Sequence, residues 1–376
     1  MIKNKKLRIT VIISLIILIV IVTFFGIYIG VKIDRKNRDR IDFSSAEGNA
    51  NKIVMFIGDG MGENHIKVTS KYYDKYMYME SFDIKGYVTT YSNSVLSPTD
   101  SAASASALAT GKKFDNREIS RHNGKDITTI SEYAKSKGFG VGIVTTDSLN
   151  GATPSAFSSH ANDRSDSDDI IKGQLNSNID LFLGAGKSTY EIYKEDFINK
   201  GYVYTNSYQD LNINDSKIIA TFDSVVSKIG TNETPTLEML TQFAINYFEE
   251  NFSNGYFLMI EGAHIDKKSH NNQIFEMMEY LNSFDESIKI VSEKIENQKG
   301  TAIVVTADHE TGGLKYSDDV SKIDNSLYTR TGHSKTNVPY FIKFNPFNKI
   351  DNINNLFRNT IDNTDIFSFY KSCLIL

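Results

Sequence analysis

The sequence predicts an α/β domain built on a largely parallel sheet and preceded by one transmembrane helix. Three observations predict it. Residues 9–31 form a 23-residue stretch with no charge, dominated by Ile, Val, Leu and Phe. Beyond residue 52, short apolar runs alternate with longer amphipathic stretches, the pattern of strands buried on both faces and joined by helices. Several of those apolar runs are followed at once by carboxylates or imidazoles.

The elements follow in chain order. A basic tail, residues 1–8, precedes the apolar stretch, which exceeds the ~20 residues a helix needs to cross a bilayer. No small-residue cleavage site follows it closely, so residues 9–31 read as an uncleaved signal anchor. Lys3, Lys5, Lys6 and Arg8 lie before it, and Lys32, Arg35, Lys36, Arg38 and Arg40 after it, so flanking charge gives no orientation. Residues 32–51 read as a polar tether and residues 52–376 as the folded domain. Apolar runs at 53–57, 141–145, 181–183, 256–260 and 302–306 read as strands. Residues 127–137, 237–252 and 275–295 read as amphipathic helices. No internal repeat is present. Residues 343–363, although rich in Asn, are interleaved with Phe and Ile and read as folded.

Composition narrows the chemistry. A formal net charge of -5 argues against a general nucleic-acid binder, which needs a basic face. The single cysteine, Cys373, excludes an intrachain disulfide and a thiolate metal site. The last four residues, Cys373-Leu374-Ile375-Leu376, have the form of a prenylation signal but read as an ordinary apolar end.

In an open α/β sheet, ligands bind beyond the carboxyl ends of the strands. Asp59 follows the first run, in Ile57-Gly58-Asp59-Gly60-Met61-Gly62. Glu261 follows the run at 256–260, with Asp266 and His270 just beyond, and Asp308 and His309 follow the run at 302–306. A lone Asp there would read as a turn or cap. Three strands delivering acids to one edge would repel one another unless divalent cations lay between them. Asp266 and His270, four residues apart, share one face of a helical turn. In Thr99-Asp100-Ser101-Ala102-Ala103 the Ala-rich run reads as a helix start. Ser101 there is either a cap or, beside cations, a nucleophile.

Together these blocks resemble the alkaline phosphatases. The resemblance rests on Phe56-Ile57-Gly58-Asp59-Gly60-Met61-Gly62, Thr99-Asp100-Ser101-Ala102-Ala103, Ala152-Thr153-Pro154, Glu261-Gly262-Ala263-His264-Ile265-Asp266, Thr306-Ala307-Asp308-His309-Glu310, Thr331-Gly332-His333 and Asn337-Val338-Pro339. It implies a three-layer α/β/α sandwich with a central, mostly parallel sheet, and hydrolysis of small phosphate monoesters at alkaline pH through a phosphoseryl intermediate. It implies two Zn2+ and one Mg2+ per subunit. Asp266, His270 and His333 would hold the first zinc, and Asp59, Asp308 and His309 the second, with Ser101 as a further ligand. Asp59, Thr153 and Glu261 would hold the magnesium. Arg164 falls at the phosphate-clamping position, where bidentate grip suits Arg and not Lys. A homodimer, an extracytoplasmic catalytic domain and a phosphate-scavenging role are implied as well. The expected nucleic-acid contact goes no further than terminal phosphates.

Two positions stand out. Gly151 occupies a position where relatives usually carry Asp or His near the magnesium, which predicts a looser third site or a different cation. Lys267 follows Asp266 and, with no carboxylate opposite, is expected to reach bound phosphate through water. The segment between Asp308 and His333 is short, which predicts an open site. His65 and His122 read as surface or helix-face residues, and His160 and His264 as structural. The competing readings are a phosphodiesterase of the same superfamily and an inactive metal-binding membrane protein. Ser101 with Arg164 favours the monoesterase.

Overall fold

A computed structural model describes residues 2–36, 40–320, 322–351 and 353–375. The helix Ile2–Lys36 belongs to a first unit, residues 1–41 with 95–97. Its segment Ile12–Gly30 is long and apolar enough to cross a membrane, and the side chains of residues 12–26 are exposed.

The second unit, residues 42–94 and 98–376, holds the folded domain. Its strands begin with β1 (Lys52–Ile57), β2 (Ile84–Thr89), the two-residue β3 (Arg121–His122) and β4 (Lys125–Asp126), and β5 (Gly140–Ser148). They continue with β6 (Leu181–Ala185), β7 (Val203–Thr205), β8 (Ile218–Phe222), β9 (Tyr256–Glu261) and β10 (Thr301–Thr306). The last are β11 (Glu310–Thr311), β12 (His333–Ser334), β13 (Val338–Asn345) and β14 (Thr360–Asp362). Among the described residues a ten-stranded sheet has the order β14-β2-β13-β10-β1-β9-β5-β6-β8-β7. All of its strands run in one direction except β13, which lies antiparallel between β10 and β2. The five expected strands are β1, β5, β6, β9 and β10, and they form its buried centre.

Alternation along β9 shows the layers. Phe257 packs on Phe157 and Tyr370 on one face, while a Cβ on Gly142 of the neighbouring strand would meet both Leu258 and Phe248 on the other. The first face carries helices Ser101–Thr110, Ile130–Ser136, Ala152–Ser158 and Asn363–Cys373. The second carries Glu63–Tyr73, Leu237–Asn251 and Ile274–Ile295. This is the expected three-layer sandwich. The helix expected over 127–137 begins later, at Ile130, because Thr129 and Glu132 close a capping box there.

The expected tether over 32–51 is corrected at both ends. The first helix runs on to Lys36, residues 37–39 lie outside the described residues, and residues 43–50 pack against the domain. Phe43 is buried, with ring centroids 5.1 Å from Phe357 and 5.6 Å from Phe369. Gly48 N–H donates to the Ser372 carbonyl at 3.0 Å. Ala46, Asn49 and Ala50 are buried with Phe43, so the segment is held by apolar contact and hydrogen bonds together. Cys373, on the C-terminal helix, is buried.

Candidate metal centre and active site

The carboxyl ends of β10, β1, β9 and β5 lie side by side, with Ile57 in register with both Thr306 and Glu261, and Glu261 with Thr145. Residues just after these strands therefore share one edge. The turn after β1 needs glycine. Gly60 has φ 74°, and a Cβ there would stand 2.9 Å from Asp266 Oδ1. Its N–H donates to Asp308 Oδ1 at 3.1 Å, and His309 N–H donates to the same oxygen at 2.9 Å. Asp308 Oδ2 is left buried without a hydrogen-bond partner, 3.3 Å from His309 Nε2.

Two ligand clusters form on this edge. In one, Asp59, Asp308 and His309 bring ligand atoms within 4.8 Å of one another. Ser101 Oγ lies 3.1 Å from His309 Nε2. In the other, Asp266 and His333 converge with His309. His270 joins them, its Nε2 3.1 Å from His333 Nε2 and 3.4 Å from Asp266 Oδ1. His309 faces both clusters, and its ring stacks on His333 at 3.6 Å.

The proton positions follow from the partners. Nδ1 of His270 faces the Thr331 carbonyl, and Nδ1 of His333 lies 2.8 Å from the Thr99 carbonyl. A carbonyl only accepts, so each Nδ1 carries the proton and each Nε2 presents a lone pair. Thr311 Oγ1 donates to Asp266 Oδ1 and so accepts from His309 Nδ1 at 3.2 Å. Thr311, missed in the sequence, thereby aims the third Nε2 as well. Its place in Asp308-His309-Glu310-Thr311 was the available signal.

Electrostatics point the same way. Burial first, then Asp308, Asp266 and Glu261, push the Asp59 carboxyl well above its usual range, while Arg164 opposes them. Burial and then Asp266 raise Asp308. Burial, then His333, His270 and Arg164, keep His309 neutral. Asp59 Oδ1, Asp308 Oδ2 and Thr153 Oγ1 are buried without hydrogen-bond partners. Converging lone pairs and orphaned acidic oxygens fit divalent cations and little else.

Ser101 opens the helix Ser101–Thr110, but the capping is done by Asp100, which accepts from Ala103 N–H at 3.0 Å. Ser101 is thus free to face the cluster. Asp100 Oδ2 also lies 3.4 Å from a guanidinium nitrogen of Arg164. Glu261 accepts from Thr145 Oγ1, and its carboxyl is raised by burial and then by Asp147. The expectation for Lys267 is corrected: a carboxylate does lie opposite. Its ammonium pairs with Asp147, which the end of β5 carries to the same edge.

The other histidines lie outside these two clusters. His65, expected on the surface or on a helix face, lies on the inward face of the helix Glu63–Tyr73 and is fully buried. It accepts from Gly62 N–H at 3.2 Å on Nδ1 and meets Ser269 Oγ at 3.1 Å on Nε2, bracing the turn after β1 against the helix His264–His270. His122 pairs with Glu118 at 2.7 Å. His160 donates to the Ser120 carbonyl and to Glu132, and these bonds raise its pKa against the opposing effect of burial. His264 stacks on Tyr280, and burial pushes its pKa down to about 4.

A family model described as alkaline phosphatase matches residues 50–355. Alkaline phosphatase 3 of Bacillus subtilis is 33% identical over 290 residues, covering 71% of this chain and 62% of that protein. Alkaline phosphatase 4 of the same organism is 32% identical over 313 residues, covering 77% and 67%. The chain therefore spans about three fifths to two thirds of these relatives' length. Among solved structures, the alkaline phosphatase of a Shewanella species superposes with a TM-score of 0.73 at 26% identity, over 86% of this chain and 99% of that one. The alkaline phosphatase of the Antarctic bacterium TAB5 gives 0.74 at 24%, over 87% and 98%, and a variant of it was solved with magnesium in its M3 site. Since the matched span contains both ligand clusters, Ser101 and Arg164, this chain belongs to the alkaline phosphatase family.

Proposed function

We propose that the protein hydrolyses phosphate monoesters at alkaline pH, with Ser101 as nucleophile. The observation that carries this reading is the position of Ser101 Oγ, relieved of capping by Asp100 and 3.1 Å from His309 Nε2 at the edge of two cation clusters. Asp266, His270 and His333 would hold one zinc, and Asp59, Asp308 and His309 the other. Asp59, Thr153 and Glu261 would hold magnesium. When bound, the cations supply positive charge that lowers the cost of negative charge on the Ser101, phosphoryl and leaving oxygens.

The chain's own groups do the rest. Ser101 Oγ attacks phosphorus, the bond to the ester oxygen breaks, and the alcohol leaves with a proton. Water then attacks the phosphoserine, releasing inorganic phosphate and restoring the hydroxyl. Arg164, held by Asp100, grips two non-bridging oxygens, and the N-terminus of the helix Ser101–Thr110 favours their charge. The same reading has the N-terminal helix anchor the protein in a membrane with the catalytic domain outside the cytoplasm, scavenging phosphate from diverse esters.

The test is p-nitrophenyl phosphate hydrolysis by the full-length protein in detergent, with zinc and magnesium, beside bis(p-nitrophenyl) phosphate. Strong monoester turnover, abolished by EDTA and by Ser101→Ala, is expected. Preference for the diester would move the protein to the phosphodiesterases, and turnover surviving Ser101→Ala would remove the nucleophile.

A further inference from the structure

We infer that Asp147 supplies the third cation site with the carboxylate that Gly151 cannot, and that it fixes Lys267 beside that site. The inference rests on the metal-centre reading above and adds a residue to it.

The geometry at Gly151 is the starting point. A Cβ built there would stand 2.7 Å from Asp147 Oδ2 and 3.1 Å from its Cγ. The carboxylate of Asp147 therefore fills the volume that a side chain at 151 would enter. Glycine at 151 is what makes room for it.

The Asp147 side chain is held at one oxygen. Its Oδ1 accepts from Ser148 N–H at 2.7 Å and pairs with the Lys267 ammonium. Its Oδ2 accepts no hydrogen bond among the described residues. Its own N–H donates to Thr145 Oγ1 at 2.8 Å, and Thr145 Oγ1 donates to Glu261. One hydroxyl thus ties Asp147 to the carboxylate expected to hold the third cation. Close by in sequence, the buried Thr153 hydroxyl lies beside the Glu261 carboxyl. The Asp147 and Glu261 carboxylates and the Thr145 and Thr153 hydroxyls are oxygen groups of the kind a hard cation takes, and Thr145 links the first two through the Asp147 backbone. A surface ion pair with Lys267 would explain neither the filled space at Gly151 nor the link through Thr145 to Glu261.

The experiment is a magnesium titration of the full-length protein in detergent with zinc already bound. It is followed by calorimetry and by the spectrum of Mn2+ substituted for magnesium, with zinc counted by elemental analysis. Asp147→Asn is expected to weaken magnesium about ten-fold or more while zinc content stays at the wild-type value. Asp147→Ala combined with Gly151→Asp is expected to recover affinity, since the second change returns a carboxylate to the vacated space. Lys267→Ala, which breaks only the ion pair, is expected to leave magnesium bound at least as tightly. Unchanged magnesium affinity in Asp147→Asn would overturn the inference, as would a wild-type protein that takes up no magnesium beyond its zinc. Failure of the phosphatase reading is separate: it would appear as absent turnover in a wild-type protein whose metals bind as expected.

Discussion

Acidification from pH 7 to pH 5 is expected to remove about 2 kcal/mol of folding stability through His65 alone. The ring is buried and accepts a hydrogen bond from Gly62 N–H on Nδ1, so protonation must both break that bond and place a charge in the interior. Burial lowers its pKa from 6.5 to about 4, only partly opposed by Glu310. A histidine with a depressed folded pKa contributes stability that is present above its unfolded value. That stability is lost as pH falls from about 6.5 toward about 4. A tenfold difference in proton affinity is worth about 1.4 kcal/mol, and pH 5 lies most of the way into the window. The assay is urea unfolding of chelator-treated protein at the two pH values, for wild type and His65→Asn, which keeps an acceptor for Gly62. Carboxylates with raised pKa values titrate in both proteins and cancel in the comparison. Wild type should lose about 2 kcal/mol more than the variant. Equal losses would refute the reasoning and mean that His65 is not held neutral.

Two further outcomes are expected. Gly255 has φ 112°, and a Cβ there would stand 2.0 Å from the Asn51 carbonyl oxygen, so Gly255→Ala should destabilise by about 3 kcal/mol or more, read as a lowered Tm. A Tm within a degree or two of wild type would show that the loop before β9 adjusts freely. Arg164→Lys keeps the charge but loses the planar fork, so kcat/KM for p-nitrophenyl phosphate should fall roughly ten-fold or more, with weaker inhibition by phosphate. Unchanged kinetics would remove Arg164 from the site.

What could be read from the sequence was whatever is local. Strands β1, β5, β6, β9 and β10 are central and covered on both faces, so each appears as an unbroken apolar run. Asp59, Glu261 and Asp308 were legible because each follows such a run. β13 was not: it carries Pro339 and lies antiparallel among parallel neighbours, a placement decided by the rest of the sheet. β14 has only three residues and, among the described residues, pairs only with β2. His333 and Arg164 follow no central strand and were found through resemblance alone. Thr145, Asp147 and Thr311 were missed because their partners, Glu261, Lys267 and Asp266, lie on other elements. For His65 the surface and helix-face readings could not be separated for the same reason. Its polarity suggested a surface, but Gly62 and Ser269 supply partners that make burial tolerable.

The Nδ1 contacts of the three clustered imidazoles carry a consequence for how this centre can change. The Thr99 and Thr331 carbonyls and the Thr311 hydroxyl each receive a proton that would otherwise be stranded if its ring turned over. The aim of the cation-facing nitrogens is therefore set by the path of two connecting segments and one short strand. A substitution that shifted the backbone at 99 or 331 would re-aim a ligand while leaving every ligand in place. The connections at 99 and 331 thus shape the cluster as directly as the imidazoles do.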